Sequence, residues 1–298
     1  MGVVYKATHA FLRRPTAIKL LPMERAGEHN ITRFEREVQL TSMLTHPNTV
    51  SVYDFGRTPE GTFYYAMEYL EGIDLQTLVD TDGPQNPGRV VHIMLQAVGA
   101  LVEAHSVGLI HRDVKPANIN LSERSGTPDV VKVLDFGLVK QLGSPDAKTS
   151  ASQVNNIIGT PLYLSPEAIT APSTLDGRAD LYALGAVGYY LLTGMPPFTG
   201  ASIVEVCGHH LHTQPIPPSV RLGRPVPEDL ERVILACLAK SPADRPADAK
   251  ALKRLLAGIK ARGEWSEESA HAWWDEKGRA IIAQKRESLQ AGLSETPS

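Results

Sequence analysis

The sequence is poor in cysteine and has no long run of apolar residues. Its 298 residues include only Cys207 and Cys237, too few for a disulfide framework in a chain of this length, which favours a reducing compartment. Nothing near Met1 resembles a secretory signal, since no basic region leads into an apolar core. The longest apolar run, residues 181–192, is too short to span a bilayer. We therefore expect a cytoplasmic protein with no membrane segment in this chain.

An excess of charge of either sign is also lacking. The chain has 30 Lys and Arg residues against 33 Asp and Glu residues, for a net charge of −3. A nucleic-acid surface would need clustered Lys and Arg, so we do not expect nucleic acid as a partner. With 42% hydrophobic and 21% charged residues, the composition is near that of soluble globular proteins and predicts one large domain or two smaller ones.

Hydrophobic patterns divide the chain into a small β-rich part and a larger helical part. A helical pattern at 31–44 lies among strand-favouring segments, which are residues 3–8, 16–21, 49–55 and 62–69. From residue 74 onward helical patterns dominate, with short strands predicted at 109–110 and 130–134. The order predicts an α+β protein with an N-terminal part of about residues 1–70 and a C-terminal part of about residues 71–257.

The last 41 residues, 258–298, differ in composition from the rest. They are more charged and contain all three tryptophans, Trp265, Trp273 and Trp274. We expect a helical tail that docks these aromatic rings on the preceding domain, because large exposed aromatic side chains are unusual on monomers. A tail that binds a partner protein is the alternative.

The segment from His111 to Asn118, followed by Asp135 in Leu-Asp-Phe-Gly, carries the chemistry. A carboxylate (Asp113), an ammonium group (Lys115) and an amide (Asn118) lie within six residues. Phosphoryl transfer needs a positioned hydroxyl, metal ions on the phosphates and positive charge near the transferring group. Carboxylate and amide oxygens suit Mg²⁺, which prefers hard oxygen ligands. These residues therefore indicate phosphoryl transfer.

The same residues resemble the signature set of the protein kinases, H-R-D-x-K-P-x-N and D-F-G. The resemblance continues through most of the chain, at Ala17-Ile18-Lys19, Glu37, Met67-Glu68-Tyr69-Leu70, the 159–167 segment GTPLYLSPE, Asp180 and Arg245. It implies a bilobal kinase fold, with a catalytic domain at 1–257. Lys115 and Thr160 are typical of Ser/Thr kinases, and the wording around the motifs is similar to bacterial eukaryotic-like Ser/Thr kinases.

The resemblance implies a role for each matching residue. Asp113 would orient the acceptor hydroxyl and accept its proton, Lys115 would neutralise the transferring phosphoryl group, and Lys19 paired with Glu37 would position ATP. Asn118 and Asp135 would bind Mg²⁺, with Mn²⁺ as an alternative. The residues expected to contact ATP are Gly2, Val4, Ala17, Lys19, Met67, Glu68, Leu70 and Asn120. His111 is expected to be a packed core residue, and Glu167 and Arg245 are expected to form a buried pair.

The resemblance also implies partners and regulation. The substrates would be Ser and Thr residues of proteins, including the chain itself by autophosphorylation. Thr149, Ser150 and Ser152 lie between the DFG and SPE motifs and are candidate phosphorylation sites. Arg112 would receive the phosphate, which carries a charge of about −1.5 to −2.

Two departures from the family pattern favour a different function. Gly2 matches the third glycine of the family's nucleotide loop, and the family's first strand and the two earlier glycines have no counterpart in this sequence, so we expect a start codon assigned too late or a truncated gene product. Asn120 replaces the apolar residue beneath adenine, and a desolvated amide without a partner costs free energy. Both departures favour a catalytically weak pseudokinase that acts as a binding or scaffold module, whereas intact Lys19, Asp113 and Asp135 oppose that alternative.

Overall fold

The structure, a computed structural model, describes residues 3–21, 28–59, 61–136 and 161–294. A four-stranded antiparallel sheet forms the N-terminal lobe, with strand order β1-β2-β4-β3. Its strands are β1 (Val3–Thr8), β2 (Pro15–Leu21), β3 (Val52–Arg57) and β4 (Phe63–Glu68). Among the described residues, no helix combines the length and the apolar character needed to cross a bilayer.

One helix covers this sheet and completes a small core. Helix α1 (Glu28–Ser42) buries Val38 against Val50, Phe63 and Tyr65. The strands follow the predicted segments within a few residues, and in β4 the alternate residues Phe63, Tyr65 and Met67 are buried in this core. In the register of β2 and β4, Lys19 lies directly opposite Tyr65, so both side chains project from the same face.

A second, three-stranded sheet lies in the C-terminal lobe. It contains β5 (Ile73–Asp74), β6 (Ile119–Arg124) and β7 (Thr127–Val133), in the order β5-β6-β7. Backbone hydrogen bonds from Val50 N to Val133 O (3.1 Å) and from Val133 N to Asn48 O (2.8 Å) join the end of β7 to the segment that precedes β3. The catalytic loop and Asp135, which flank this sheet, are therefore tied to the N-terminal lobe.

Helices build the rest of the C-terminal lobe. They are α2 (Leu75–Asp82), α3 (Pro87–Ser106), α4 (Pro166–Thr170), α5 (Arg178–Thr193), α6 (Ile203–His212), α7 (Pro218–Leu222), α8 (Glu228–Cys237) and α9 (Ala249–Ala257). Helix α5 is buried on nearly every side, which suits a helix that is apolar all round. It ends at Gly194, whose φ of 75° is readily adopted by glycine.

The arrangement confirms the predicted α+β class, with a small β-rich lobe followed by a larger helical one. One predicted strand is wrong. Residues 109–110 form no strand, because the backbone N–H of Leu109 donates to Ala104 O (2.9 Å) and closes the end of α3. The strand predicted at 130–134 is present as β7, whereas β5 and β6 were not predicted.

The C-terminal segment packs on the helical lobe. It consists of a 3₁₀ turn (Lys260–Glu264), α10 (Glu267–Trp273), a π turn (Trp274–Gly278) and α11 (Arg279–Ser294). Trp273 and Trp274 are buried, and Trp265 is half-buried. Of the two alternatives for the tail, the structure shows docking.

A fully buried ion pair receives the tail. The guanidinium of Arg89 in α3 donates to both carboxylate oxygens of Asp129 in β7, from Nε (2.9 Å) and Nη2 (2.8 Å). The indole N–H groups of Trp265 and Trp274 donate to the same carboxylate, each at 2.9 Å. The ring of Trp273 lies 3.8 Å from the Arg89 guanidinium carbon. We call these five residues the tryptophan clamp.

Candidate active site

The catalytic loop forms one hydrogen-bonded group. Lys115 Nζ lies 2.8 Å from Asp113 Oδ2, and the Asn118 amide donates to the same oxygen at 2.9 Å and to the Asp113 carbonyl at 2.8 Å. A 3₁₀ turn (Pro116–Asn118) places Asn118 against Asp113. The structure thus brings together the three polar side chains that the motif predicts.

Asp180, in the first turn of α5, holds the backbone of this loop. Its Oδ2 accepts from His111 N and its Oδ1 from Arg112 N, both at 2.8 Å. Arg112 has a φ of 63°, a conformation that non-glycine residues rarely adopt and that needs such external support. Burial alone would raise the pKa of Asp180, but the hydrogen bond from His105 and the charges nearby keep it below its ordinary value. The anchor therefore stays ionised.

His111 is a core residue, as expected. It is fully buried, contacts the Phe136 ring at a centroid distance of 4.6 Å, and its Nε2 lies 2.8 Å from the Leu134 carbonyl. Burial lowers its pKa, because the imidazolium would lose hydration. The carbonyl partner places the single proton of the neutral ring on Nε2, while Nδ1 accepts from Asp113 N (3.2 Å). His111 thus supports the loop from within the core.

Asp135 faces the N-terminal sheet. Lys19 Nζ lies 2.5 Å from its Oδ2, and the hydroxyl of Tyr65 donates to its Oδ1. Burial, followed by the charge of Asp135, raises the pKa of Tyr65 well above its ordinary value, so the hydroxyl keeps its proton. The sequence analysis did not predict Tyr65 as a residue of the site. The register Lys19↔Tyr65, which no motif contains, is what brings it to Asp135.

The expected ion pair between Lys19 and Glu37 is replaced by two others. Lys19 pairs with Asp135, and Glu37 Oε1 lies 3.3 Å from Arg112 Nη1. The reason is the position of the charges: Lys19 and Tyr65 both reach Asp135 from one face of the sheet, and Arg112 projects from the catalytic loop toward α1. The resemblance predicts that Arg112 receives an activation-loop phosphate. In this structure its partner is the carboxylate of Glu37.

The predicted metal ligands suit a hard divalent cation. The NH₂ group of Asn118 donates to Asp113, so the amide oxygen of Asn118 points away from Asp113. Asp135 supplies a carboxylate. Within the described ranges, no group of three or more His, Cys, Asp or Glu side chains could hold a metal ion. Mg²⁺ is commonly bound by one or two protein oxygen ligands together with substrate phosphates, so the two residues fit it.

The segment predicted to bind adenine begins in the last two residues of β4. Met67 and Ala17 are buried in the N-terminal core, where Leu70 packs beside them. Glu68 is nearly buried and pairs with Arg124 and with Lys132 (3.0 Å). Burial alone would raise the pKa of Glu68, but hydrogen bonds from those two side chains lower it. This segment is thus bound to the second sheet.

Asn120 lies beside the same segment, on β6. Its Oδ1 is buried and has no hydrogen-bond partner among the described residues. A Cβ atom on Gly72 would lie 2.6 Å from that oxygen and 2.4 Å from Leu121 O, so only glycine allows this close approach. The carbonyl oxygen of Asn120 thus has no partner among the described residues, and its place beneath adenine stays a prediction from the resemblance.

The remaining predicted residues lie at the edge of the site or outside the described ranges. Val4, in β1, is half exposed, opposite Lys19 in the register of β1 and β2. Gly2 and the phosphorylation candidates Thr149, Ser150 and Ser152 lie outside the described residues.

Glu167 and Arg245 form the expected pair. Arg245 Nη1 and Nη2 lie 2.6 and 2.8 Å from the two oxygens of Glu167, and the Arg245 side chain is fully buried. Its guanidinium also donates to the carbonyls of Arg178, Ala239 and Lys240. Such bidentate geometry, with further acceptors on the guanidinium, compensates a buried charge.

Comparison with known proteins identifies the family. The sequence model described as "Protein kinase domain" matches residues 1–256. The chain belongs to the protein kinase family. As a protein kinase domain, it is 43% identical over 263 residues to the serine/threonine-protein kinase pkn3 of Myxococcus xanthus, an alignment that covers 87% of this chain and 48% of pkn3.

Further relatives of this kinase domain are also bacterial. It is 42% identical to the serine/threonine-protein kinase PknB of Mycobacterium tuberculosis, over 87% of this chain and 41% of PknB. The crystal structure of a double mutant of the Mycobacterium tuberculosis PknI kinase domain matches with a TM-score of 0.67 and 30% identity, over 86% of this chain and 90% of that one. The chain thus spans about half the length of pkn3, and its bilobal kinase fold is confirmed.

Proposed function

We propose that the chain is a Ser/Thr protein kinase that transfers the γ-phosphoryl group of ATP to Ser and Thr hydroxyls of proteins in bacterial signalling. The family and the names of the bacterial relatives support this proposal. The observation that carries it is the group formed by Asp113, Lys115 and Asn118, in which one carboxylate oxygen is held at 2.8 and 2.9 Å.

In this proposal Asp113 orients the substrate hydroxyl and accepts its proton. Its side chain is partly exposed, as is that of Lys115, so a protein hydroxyl can reach both. The carboxylate is already fixed by Lys115 and Asn118, which reduces the cost of orienting it during the reaction. Lys115 supplies positive charge where the phosphoryl group is transferred, and such preorganised charge is a large part of catalysis.

Asn118 and Asp135 would hold Mg²⁺, or Mn²⁺ in its place. A cation held there would supply positive charge to the phosphates. Lys19 is placed beside Asp135 and would extend its ammonium group to the α- and β-phosphates. Glu37, which contacts Arg112 in this structure, would pair with Lys19 in the ATP-bound enzyme.

The proposal includes the expected substrates and regulation. Protein Ser and Thr residues are the acceptors, and autophosphorylation at Thr149, Ser150 or Ser152 would provide a phosphate for Arg112. The catalytic domain spans residues 1–257, and residues 258–298 form a tail that supports it. A cytoplasmic location agrees with the two cysteines, both of which are free thiols.

A phosphotransfer assay with radiolabelled ATP and a generic protein substrate tests the proposal. We expect Mg²⁺-dependent labelling, with phosphate recovered on Ser or Thr and not on Tyr. Asp113→Asn should lower the rate about 10²–10⁴-fold with an unchanged circular dichroism spectrum, because it removes the general base. Asp275→Asn, at an exposed carboxylate in the tail, is the matched control and should retain activity.

The same assay separates the kinase from the pseudokinase alternative. The names of pkn3 and PknB, both kinases, do not support a non-catalytic module. Absence of labelling above the Asp113→Asn background, in protein that is folded, would contradict the proposed activity.

A further inference from the structure

Tyr65 is a polar residue in an otherwise apolar core. It lies in β4 with 1% of its surface exposed, and its ring packs among Val38, Val50 and Phe63. A phenylalanine would fill almost the same volume, and a buried tyrosine hydroxyl needs a hydrogen-bond partner. The partner here is Asp135 Oδ1, which lies 70 residues away in the sequence. The hydroxyl of Tyr65 is therefore used to bind the Asp135 carboxylate.

The carboxylate of Asp135 depends on side chains for its orientation. Strand β7 ends at Val133, and Asp135 has a φ of 53°, outside regular strand geometry. Tyr65 donates to Oδ1 and Lys19 to Oδ2, so each oxygen has one donor from the N-terminal sheet. Because Tyr65 and Lys19 are directly opposed on β4 and β2, the register of the sheet sets both contacts.

The two donors differ in what they do to the carboxylate. Lys19 carries a full charge on a flexible stem, and the proposed function requires that charge at the phosphates of ATP. Tyr65 is neutral and is held in the core by its ring, so it can stay on Asp135 when Lys19 changes partner. A neutral donor uses one lone pair of Oδ1 and leaves the negative charge for a cation.

We propose that Tyr65 is a positioning residue whose hydroxyl orients the Asp135 carboxylate for binding the divalent cation. The inference rests on the proposed function, since Asp135 is a metal ligand only in a kinase that uses metal-bound ATP. Hydrogen bonds from outside a metal site to its ligands are typically worth about 10–100-fold in metal affinity or activity. None of the sequence motifs includes Tyr65, so the motifs do not predict this role.

The variant Tyr65→Phe removes the hydroxyl and keeps the ring. Tyr64→Phe is the matched control, because Tyr64 is the neighbouring residue of β4, projects from the opposite face and lies beside Gly56. The probe is Mn²⁺, whose binding is followed by its electron paramagnetic resonance signal in the presence of the non-hydrolysable analogue AMP-PNP. We expect about 10–100-fold weaker Mn²⁺ binding in Tyr65→Phe and no change in Tyr64→Phe.

Two further measurements separate positioning from a merely structural role. AMP-PNP binding without metal should be nearly the same in wild type and Tyr65→Phe. In the phosphotransfer assay, raising the Mg²⁺ concentration should restore kcat in Tyr65→Phe, because the defect is in metal affinity. If Tyr65→Phe fails to fold, Tyr65→Met, which also lacks the hydroxyl and suits an irregular core, takes its place.

The outcomes are distinct. Wild type that binds Mn²⁺ with AMP-PNP, together with a Tyr65→Phe variant that binds it equally well, would overturn the inference and leave the proposed kinase function intact. Wild type that binds neither the metal nor AMP-PNP would overturn both. If Tyr65→Phe binds metal more weakly and additional Mg²⁺ does not restore kcat, the substitution has damaged the structure. That result would contradict a positioning role.

Discussion

Within the tryptophan clamp, the buried carboxylate of Asp129 accepts four hydrogen bonds, two from Arg89 and one each from Trp265 and Trp274. The substitution Asp129→Asn keeps the shape of the side chain and tolerates the backbone φ of 52° at this position, because asparagine adopts left-handed conformations readily. It replaces one acceptor oxygen by an NH₂ group and removes the negative charge. The backbone stays in place, since Gln96 still donates to the Asp129 carbonyl (2.8 Å).

The magnitude follows from what the substitution leaves behind. Arg89 and Asp129 each expose 1% of their side chains, so the Arg89 charge would remain buried without its counter-charge. Removing one partner of a buried pair typically costs about 3–5 kcal/mol. One indole N–H, from Trp265 or Trp274, would also lose its acceptor. Because domains are stable by only about 5–15 kcal/mol, the loss is a large fraction of the total.

The assay is a thermal melt followed by circular dichroism at pH 7. For a domain of this size about 3–5 kcal/mol lowers Tm by roughly 6–20 °C. Asp275→Asn is the control, because that carboxylate is 63% exposed and pairs with an equally exposed Arg279. It should shift the free energy of unfolding by less than about 0.5 kcal/mol. If Asp129→Asn melted within about 2 °C of the wild type, the clamp would not stabilise the fold through its buried charge.

Three other changes test separate parts of the structure. Asn120→Leu should raise the free energy of unfolding by about 1–3 kcal/mol in urea denaturation, because it removes a buried oxygen that has no partner among the described residues; an unchanged or lower stability would show that the oxygen finds a partner in solution. Burial alone would raise the pKa of Glu167, but Arg245 keeps it below its ordinary value of 4.5, so this stabilisation is present above pH 4.5 and is lost as the pH falls through the lowered pKa. Glu167→Gln should therefore lower Tm at pH 7 and flatten its decline below pH 4.5, and an unchanged acid limb would argue against the pair. Lys285→Ala should cost less than about 1 kcal/mol in urea denaturation, because its 2.9 Å pair with Asp74 is solvent-accessible; a larger loss would mean that α11 braces the lobe.

The catalytic loop was predictable from the sequence for a physical reason. Asp113, Lys115 and Asn118 lie within six residues, and a single 3₁₀ turn is enough to bring them together. The strands β1 to β4 were predictable because each is a short segment rich in strand-favouring residues, and β4 also alternates between buried and less buried positions. Both predictions depend on local chain geometry.

Partner choice across long separations could not be predicted in the same way. In the sequence, Tyr65 looks like any other residue of a strand. Only the pairing of β2 with β4 places its hydroxyl beside Asp135. Lys19 was assigned to Glu37 by resemblance, whereas its partner in this structure depends on how α1 lies against the sheet. Asp129 gave no signal, since nothing local marks it as the acceptor for residues more than 130 positions later.

The docked tail has a consequence for how this kinase domain can be exchanged between proteins. The match to the family ends at residue 256, yet the indole groups of Trp265 and Trp274 satisfy a carboxylate in the middle of the domain. A gene fusion joined at the family boundary would carry Arg89 and Asp129 without the rings that cover them. For such a fusion to fold as well as this chain, it would have to inherit the residues after 256 or lose the buried charges. The family match and the set of residues that cover the buried ion pair therefore end at different points in the chain.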